Sequence, residues 1–168
     1  MARARAKDPE EGYAVDFVSS VLKLNLRQIA DQKIKILSNA GGVNPDACAK
    51  AIRELIKELK LDLKVAVVLG DELISKKDKF SDHSLKEMYS ETDFPKVENI
   101  ASINAYLGAF PIAKALHDGA DIVITGRSVD SAVTLAACIY SFNWKEDEYN
   151  KLSGGSLAGH IIECGTQS

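Results

Sequence analysis

The sequence holds only three cysteines, Cys48, Cys138 and Cys164, and no two of them stand at CxxC or CxxH spacing. An odd, widely spaced set argues against a disulfide framework and for a reducing cytosolic or organellar setting. No apolar run approaches the ~20 residues that span a bilayer. The N-terminus also lacks the apolar stretch of a secretory signal, so a cytoplasmic protein is expected, or a mitochondrial one if eukaryotic. Beyond ARARAK at the start there is no basic block, and the net charge is −3 with a pI of about 5.6. Nucleic acid and membrane are therefore not expected partners.

What remains is ordinary for a soluble globular domain: 168 residues, 46% hydrophobic and 27% charged. That is enough for one α/β domain with a real core. Its organising stretch is Ile34 to Pro45, IKILSNAGGVNP, an apolar run followed by two glycines and an Asn-Pro helix start. Asn44 suits an N-cap, Pro45 the first helical position and Asp46 the positive end of the helix. Cys48, Ala51, Ile52, Leu55 and Leu59 would then share one helix face, with Lys50, Arg53, Glu54, Lys57 and Glu58 opposite. Two further strands are expected, at Lys64 to Gly70 (KVAVVLG) and Asp121 to Thr125 (DIVIT). The almost continuously apolar KVAVVLG reads as a parallel strand covered on both faces.

Around these strands, Val15 to Ala30 has helical spacing, Pro111 can open a helix that Gly119 closes, and Asp130-Ser131 can start another. SGGSLAGHIIEC, ending at Cys164, reads as a glycine-rich turn and then a short apolar helix. Leu73 to Val97 is expected to be a loop or an irregular helical excursion beside the sheet, with His83 a solvated surface residue. The alternation predicts a three-layer, Rossmann-like fold with a mostly parallel sheet and helices on both faces. MARARAK reads as the last turn of a helix, and three strands are few for this length. The chain is thus expected to be part of a larger domain. Ligands in open α/β sheets bind along the carboxyl ends of the strands. Asn39, Gly41, Gly42, Asp71, Thr125, Gly126 and Arg127 should share that rim.

SNAGGVNP, NAYLGAFPIAKAL, DIVITGRSVDSA and GGSLAGHIIECG, in that order, resemble the acyclic terpene utilisation family, AtuA type. ARARAKDPEEGYAVDFV is similar to that family's upstream segment, so the resemblance runs nearly end to end. It leaves out the linker that carries His83. The resemblance implies a place in the catabolism of acyclic terpenes such as citronellol and geraniol, whose intermediates are coenzyme A thioesters. It names neither a particular reaction nor a cofactor, and both stay open.

The residues themselves suggest the following chemistry. The Gly41-Gly42 turn, with Asn39 and Asn44, could hold a phosphate or carboxylate on backbone N–H groups, or simply make a tight strand-to-helix turn. It is neither GxGxxG nor a Walker motif. Arg127, flanked by Thr125 and Gly126, could clamp an anion with its planar fork. Asp130 could orient that arginine, act as a base, or form a structural Arg–Asp pair. Asp71 could bind a hydroxyl, a water or a metal, and Asn104 with Tyr106 could donate to a substrate carbonyl. His160, Glu163 and Cys164 read H-x-x-E-C, which on a helix puts His160 on one face with both others. An acid–base His160 assisted by Glu163 is the functional reading. H-x-x-E is a usable metal pair only with partners from other helices, and it is not HExxH, so no metal is expected. Cys164 could be a nucleophile only with a lowered pKa. Cys48 and Cys138 read as core.

The leading expectation is an enzyme of terpenoid or branched-chain acyl catabolism acting on an acyl-CoA thioester or carboxylate. Its alternative is a non-catalytic ligand-binding or assembly subunit, either a homo-oligomer or the partner of a carboxylase-type complex.

Overall fold

The computed structural model describes residues 1–81 and 85–167; His83 lies outside them. After a short helix α1 (Ala2–Arg5), the chain winds through a π-helical segment, Phe17–Leu22, directly into α2 (Lys23–Asp31). Then come β1 (Ile36–Ser38), α3 (Pro45–Glu58), β2 (Val65–Val68), the short α4 (Lys77–Ser81), α5 (Ala109–His117), β3 (Ile122–Thr125), α6 (Ala132–Phe142) and α7 (Tyr149–Cys164). The three strands are parallel in the order β1-β3-β2, with Ile122 paired to Ile36 on one side and to Val65 on the other. This is the expected α/β fold with a small open sheet.

Alternation along the strands sends side chains to two separate cores. Ile122 and Ile124 face α2 and α3, where they meet Leu22, Leu26, Cys48 and Ile52. Val123 and Val68 face α5 and α6, where they meet Ile112, Leu116 and Ala136. All four residues of β3 are buried, whereas β2 is buried only at Val68. The apolar KVAVVLG run is therefore an outer strand. The central position falls to IVIT, which pairs with both of the other strands.

α3 begins as its cap residues dictate: Asn44 Oδ1 accepts from Ala47 N–H, and Pro45 takes the first turn. α5 starts at Ala109, two residues ahead of Pro111, which sits harmlessly in the first turn where no intrahelical N–H bond is required. Gly119 follows that helix with φ of +96°.

The largest departure is at SGGSLAGHIIEC. The expected glycine turn is instead part of α7, a continuous helix of 16 residues. Each glycine in a helix costs about 1 kcal/mol of propensity, but here close approach outweighs it. A Cβ on Gly159 would lie 2.8 Å from the Ser131 carbonyl oxygen, and one on Gly155 2.7 Å from the Trp144 ring. The bare surface lets α7 lie directly on the start of α6. Among the described residues no helix is long and apolar enough to cross a membrane.

Candidate functional site

The carboxyl ends of the strands form one rim, and residues 103–107 are stitched across it. Leu73 N–H donates to the Ile103 carbonyl and Ala105 N–H to that of Asp71; Leu107 N–H donates to the Arg127 carbonyl, and Val129 N–H to Leu107. This extended segment bridges the ends of β2 and β3, so Asn104 and Tyr106, two residues apart, address the same region.

Asp71 lies beneath that region, only 2% exposed. Its Oδ2 accepts from Asn104 Nδ2 at 2.8 Å and from the Arg127 backbone N–H at 2.9 Å. Gly126 makes room for it, since a Cβ there would stand 2.6 Å from the Asp71 Cγ. Asp71 and Asn104 thus fix the backbone from which Arg127 projects. Thr125 is fully buried and donates to the Gly126 carbonyl at 2.9 Å. Arg127 itself is exposed, with its Nη2 donating to the Tyr106 hydroxyl at 2.6 Å and its Cζ 4.9 Å from the centre of that ring. Stacking of this kind holds a guanidinium in place without a carboxylate partner. Arg127 and Tyr106 border a cleft of about 410 Å³. A second cleft of about 290 Å³ shares Val43, Ser102 and Asn104 with it and adds Arg5 and Glu72.

The Gly41-Gly42 turn is also on the rim, but it is covered. Gly41, Gly42 and Asn44 are buried and Asn39 is exposed. Gly42 N–H donates to Asn39, Val43 N–H to Gly12, and Asn44 N–H to Gly41. Asn44 Nδ2 donates to the Pro9 and Glu11 carbonyls, both at 2.7 Å, which ties residues 9–12 over the start of α3. These donors are spent inside the protein.

Asp130 turns away from Arg127. Its Oδ1 accepts from Ser131 N–H at 2.7 Å, and its Oδ2 meets His160 Nδ1 at 2.5 Å. The hydrogen bond from His160, then that from Ser131, holds the Asp130 carboxyl below the ordinary aspartate range. With the carboxylate as acceptor, Nδ1 carries the proton, leaving Nε2 as the basic nitrogen of a half-exposed ring. The partner of His160 is thus Asp130, and Glu163 instead accepts from the Cys164 thiol at 3.1 Å. That bond, followed by burial and the charges of Glu163 and Asp130, pushes the Cys164 thiol up to about 11. Such a thiol is not activated as a nucleophile. Cys48 is core, and burial alone pushes it up to about 11.

A family profile now bears on this arrangement. The one described as acyclic terpene utilisation family protein AtuA matches residues 1–168, the whole chain. The chain belongs to that family. No curated protein and no solved structure matches it. The two clusters in this AtuA-family chain, Arg127 with Tyr106 and Asp130 with His160, flank a single turn between β3 and α6. Between them lies Ser128, which the residue patterns did not single out. It is 5% exposed, and its hydroxyl is the one buried side-chain polar group among the described residues without a hydrogen-bond partner. A serine in a TGRS string carries no signal of that kind; burial and missing partners are properties of the folded surroundings.

Proposed function

We propose that this AtuA-family chain carries the substrate site of an enzyme in terpenoid or branched-chain acyl catabolism, acting on an acyl-CoA thioester or a carboxylate. The family's name gives the role in acyclic terpene utilisation. The observation that carries the rest is the exposed Arg127 fork beside a cleft at the strand ends, held by Tyr106 above and by the buried Asp71–Asn104 pair below. A guanidinium that is positioned but not neutralised is the expected receptor for a carboxylate or phosphate oxygen. Three residues on, the Asp130–His160 pair supplies a general base whose tautomer and orientation are set. Three free cysteines suit a reducing compartment such as the cytoplasm.

The second reading, an assembly or ligand-binding subunit, is favoured by a different observation. Leu157, Ile161 and Ile162 of α7 are all more than half exposed. Apolar side chains left open along one helix are what a docking partner covers.

A thermal-shift titration of the protein with acyl-CoA thioesters and free terpenoid acids separates the readings. The substrate-site reading expects a shift with one of these ligands and a loss of affinity of roughly tenfold to a hundredfold in Arg127→Ala. It also expects turnover lost, with binding retained, in His160→Ala. No shift from any of them, with a cooperative melt, would move the reading to the assembly subunit.

A further inference from the structure

We propose that Asp130, His160 and Cys164 form a binding site for one divalent transition-metal ion, with zinc the best match to the donors. An ion bound there takes the place of the His160 Nδ1 proton and the Cys164 thiol proton, both released to solvent, so the site goes beyond the general-base reading of the Asp130–His160 pair and does not rest on it. Binding itself follows from the donor geometry.

Three donor atoms of different elements converge on one point. His160 Nδ1 lies 2.5 Å from Asp130 Oδ2 and 3.5 Å from Cys164 Sγ, and Sγ lies 3.9 Å from Oδ2. All three fall within 4.8 Å of one another. A Cys–His–Asp relay would need the acid on one ring nitrogen and the thiol on the other. Here both meet Nδ1, so the arrangement is a cage and not a relay. A tetrahedral zinc at its usual bond lengths holds O, N and S donors about 3.3 to 3.6 Å apart. The two sulfur separations are already near that range. The oxygen–nitrogen pair must open by about 0.8 Å, a small swing for a half-exposed imidazole.

Two packed elements hold the donors. His160 and Cys164 are four residues apart on α7, hence on one face of a regular helix. Asp130 comes from the turn before α6, and α7 is pressed onto that turn through Gly159. The Ser131 and Ser156 hydroxyls, 3.2 Å apart, add a second tie. Ser131 N–H holds Oδ1 of Asp130, which leaves Oδ2 aimed at the other donors. Outer hydrogen bonds of this kind orient metal ligands. The potential suits a cation as well: among the described residues no lysine or arginine pairs with Asp130 or Glu163. H-x-x-E-C alone lacked a ligand from another element, and the fold supplies it as Asp130.

Three protein ligands leave a fourth position open to solvent, the pattern of a reactive site and not of a structural one. A water there would be made acidic, or a thioester carbonyl polarised.

The test is cobalt titration of the whole chelator-stripped protein. The expected result is one Co²⁺ per chain, a thiolate-to-cobalt charge-transfer absorption, and displacement by Zn²⁺. Cys164→Ser should abolish that absorption while Cys138→Ser keeps it. His160→Ala and Asp130→Asn should each weaken Co²⁺ binding about 10–100-fold with unchanged circular dichroism. No absorption at saturating Co²⁺, an absorption that survives Cys164→Ser, or full affinity in both His160→Ala and Asp130→Asn overturns the proposal. These readouts involve no acyl ligand, so the metal site and the acyl-ligand reading stand or fall separately.

Discussion

Asp71 illustrates how one buried side chain organises the rim at the strand ends. It is 2% exposed and takes its hydrogen bonds from a side-chain amide and from the backbone N–H of the residue that faces the cleft. Gly126 must stay small beside it. Gly126→Ala should therefore cost about 1–3 kcal/mol through overpacking, read as a lowered thermal midpoint. Arg127→Ala removes an exposed side chain whose partners are also at the surface, and its melt should stay within about 0.5 kcal/mol of the parent. A Gly126→Ala protein as stable as the parent would mean that the carboxylate is free to move, and the account of Arg127 as a positioned group would fail with it.

Between elements, Asp121 does for the amino end of the sheet what Asp71 does for the other. Its Oδ2 accepts from the Lys64 N–H at 2.8 Å and its Oδ1 from the Lys35 ammonium at 2.9 Å, tying the chain before β2 and before β1 to the start of β3. Burial works against the charge, but the Lys64 N–H and the Lys35 ammonium outweigh it and hold the carboxyl below its ordinary value. A carboxyl with a folded value below its unfolded one stabilises the fold fully above the unfolded value of about 3.9. That contribution is lost as the pH falls through the folded value. Urea midpoints should therefore drop more steeply below about pH 4 in the parent than in Asp121→Asn, which starts lower at neutral pH. Parallel acid limbs in the two proteins would show that the ties are not formed in solution.

Across the whole molecule, the sheet separates two cores, and β3 gives Ile122 and Ile124 to one and Val123 to the other. Ile124 belongs to the core with α2 and α3, and Ile112 to the one with α5 and α6; both are fully buried. Either one replaced by alanine should cost about 2–5 kcal/mol, a large share of a typical total of 5–15 kcal/mol. Because β3 is common to both layers, each substitution should lower the same single unfolding transition, seen alike by far-ultraviolet circular dichroism and by Trp144 fluorescence. A transition that splits in only one of the two variants would show that the layers unfold separately.

Local rules determined much of this protein. The capping residues at 44–46 set the start of α3, period-two and period-3.6 patterns gave the strands and most helices, and the four motifs carried the family resemblance. They also placed Asp71, Gly126 and Arg127 on one rim, because strand ends in a parallel sheet share a side. Only tertiary structure decided which strand is central, since that depends on what covers each edge. Glycine in a turn and glycine at a helix contact look alike in sequence, so the same holds for Gly155 and Gly159 sitting inside a helix. The pairing of His160 with Asp130, 30 residues away, was likewise beyond local reading: Glu163 is the nearer acid along the chain, but α7 packs its other neighbour against the ring.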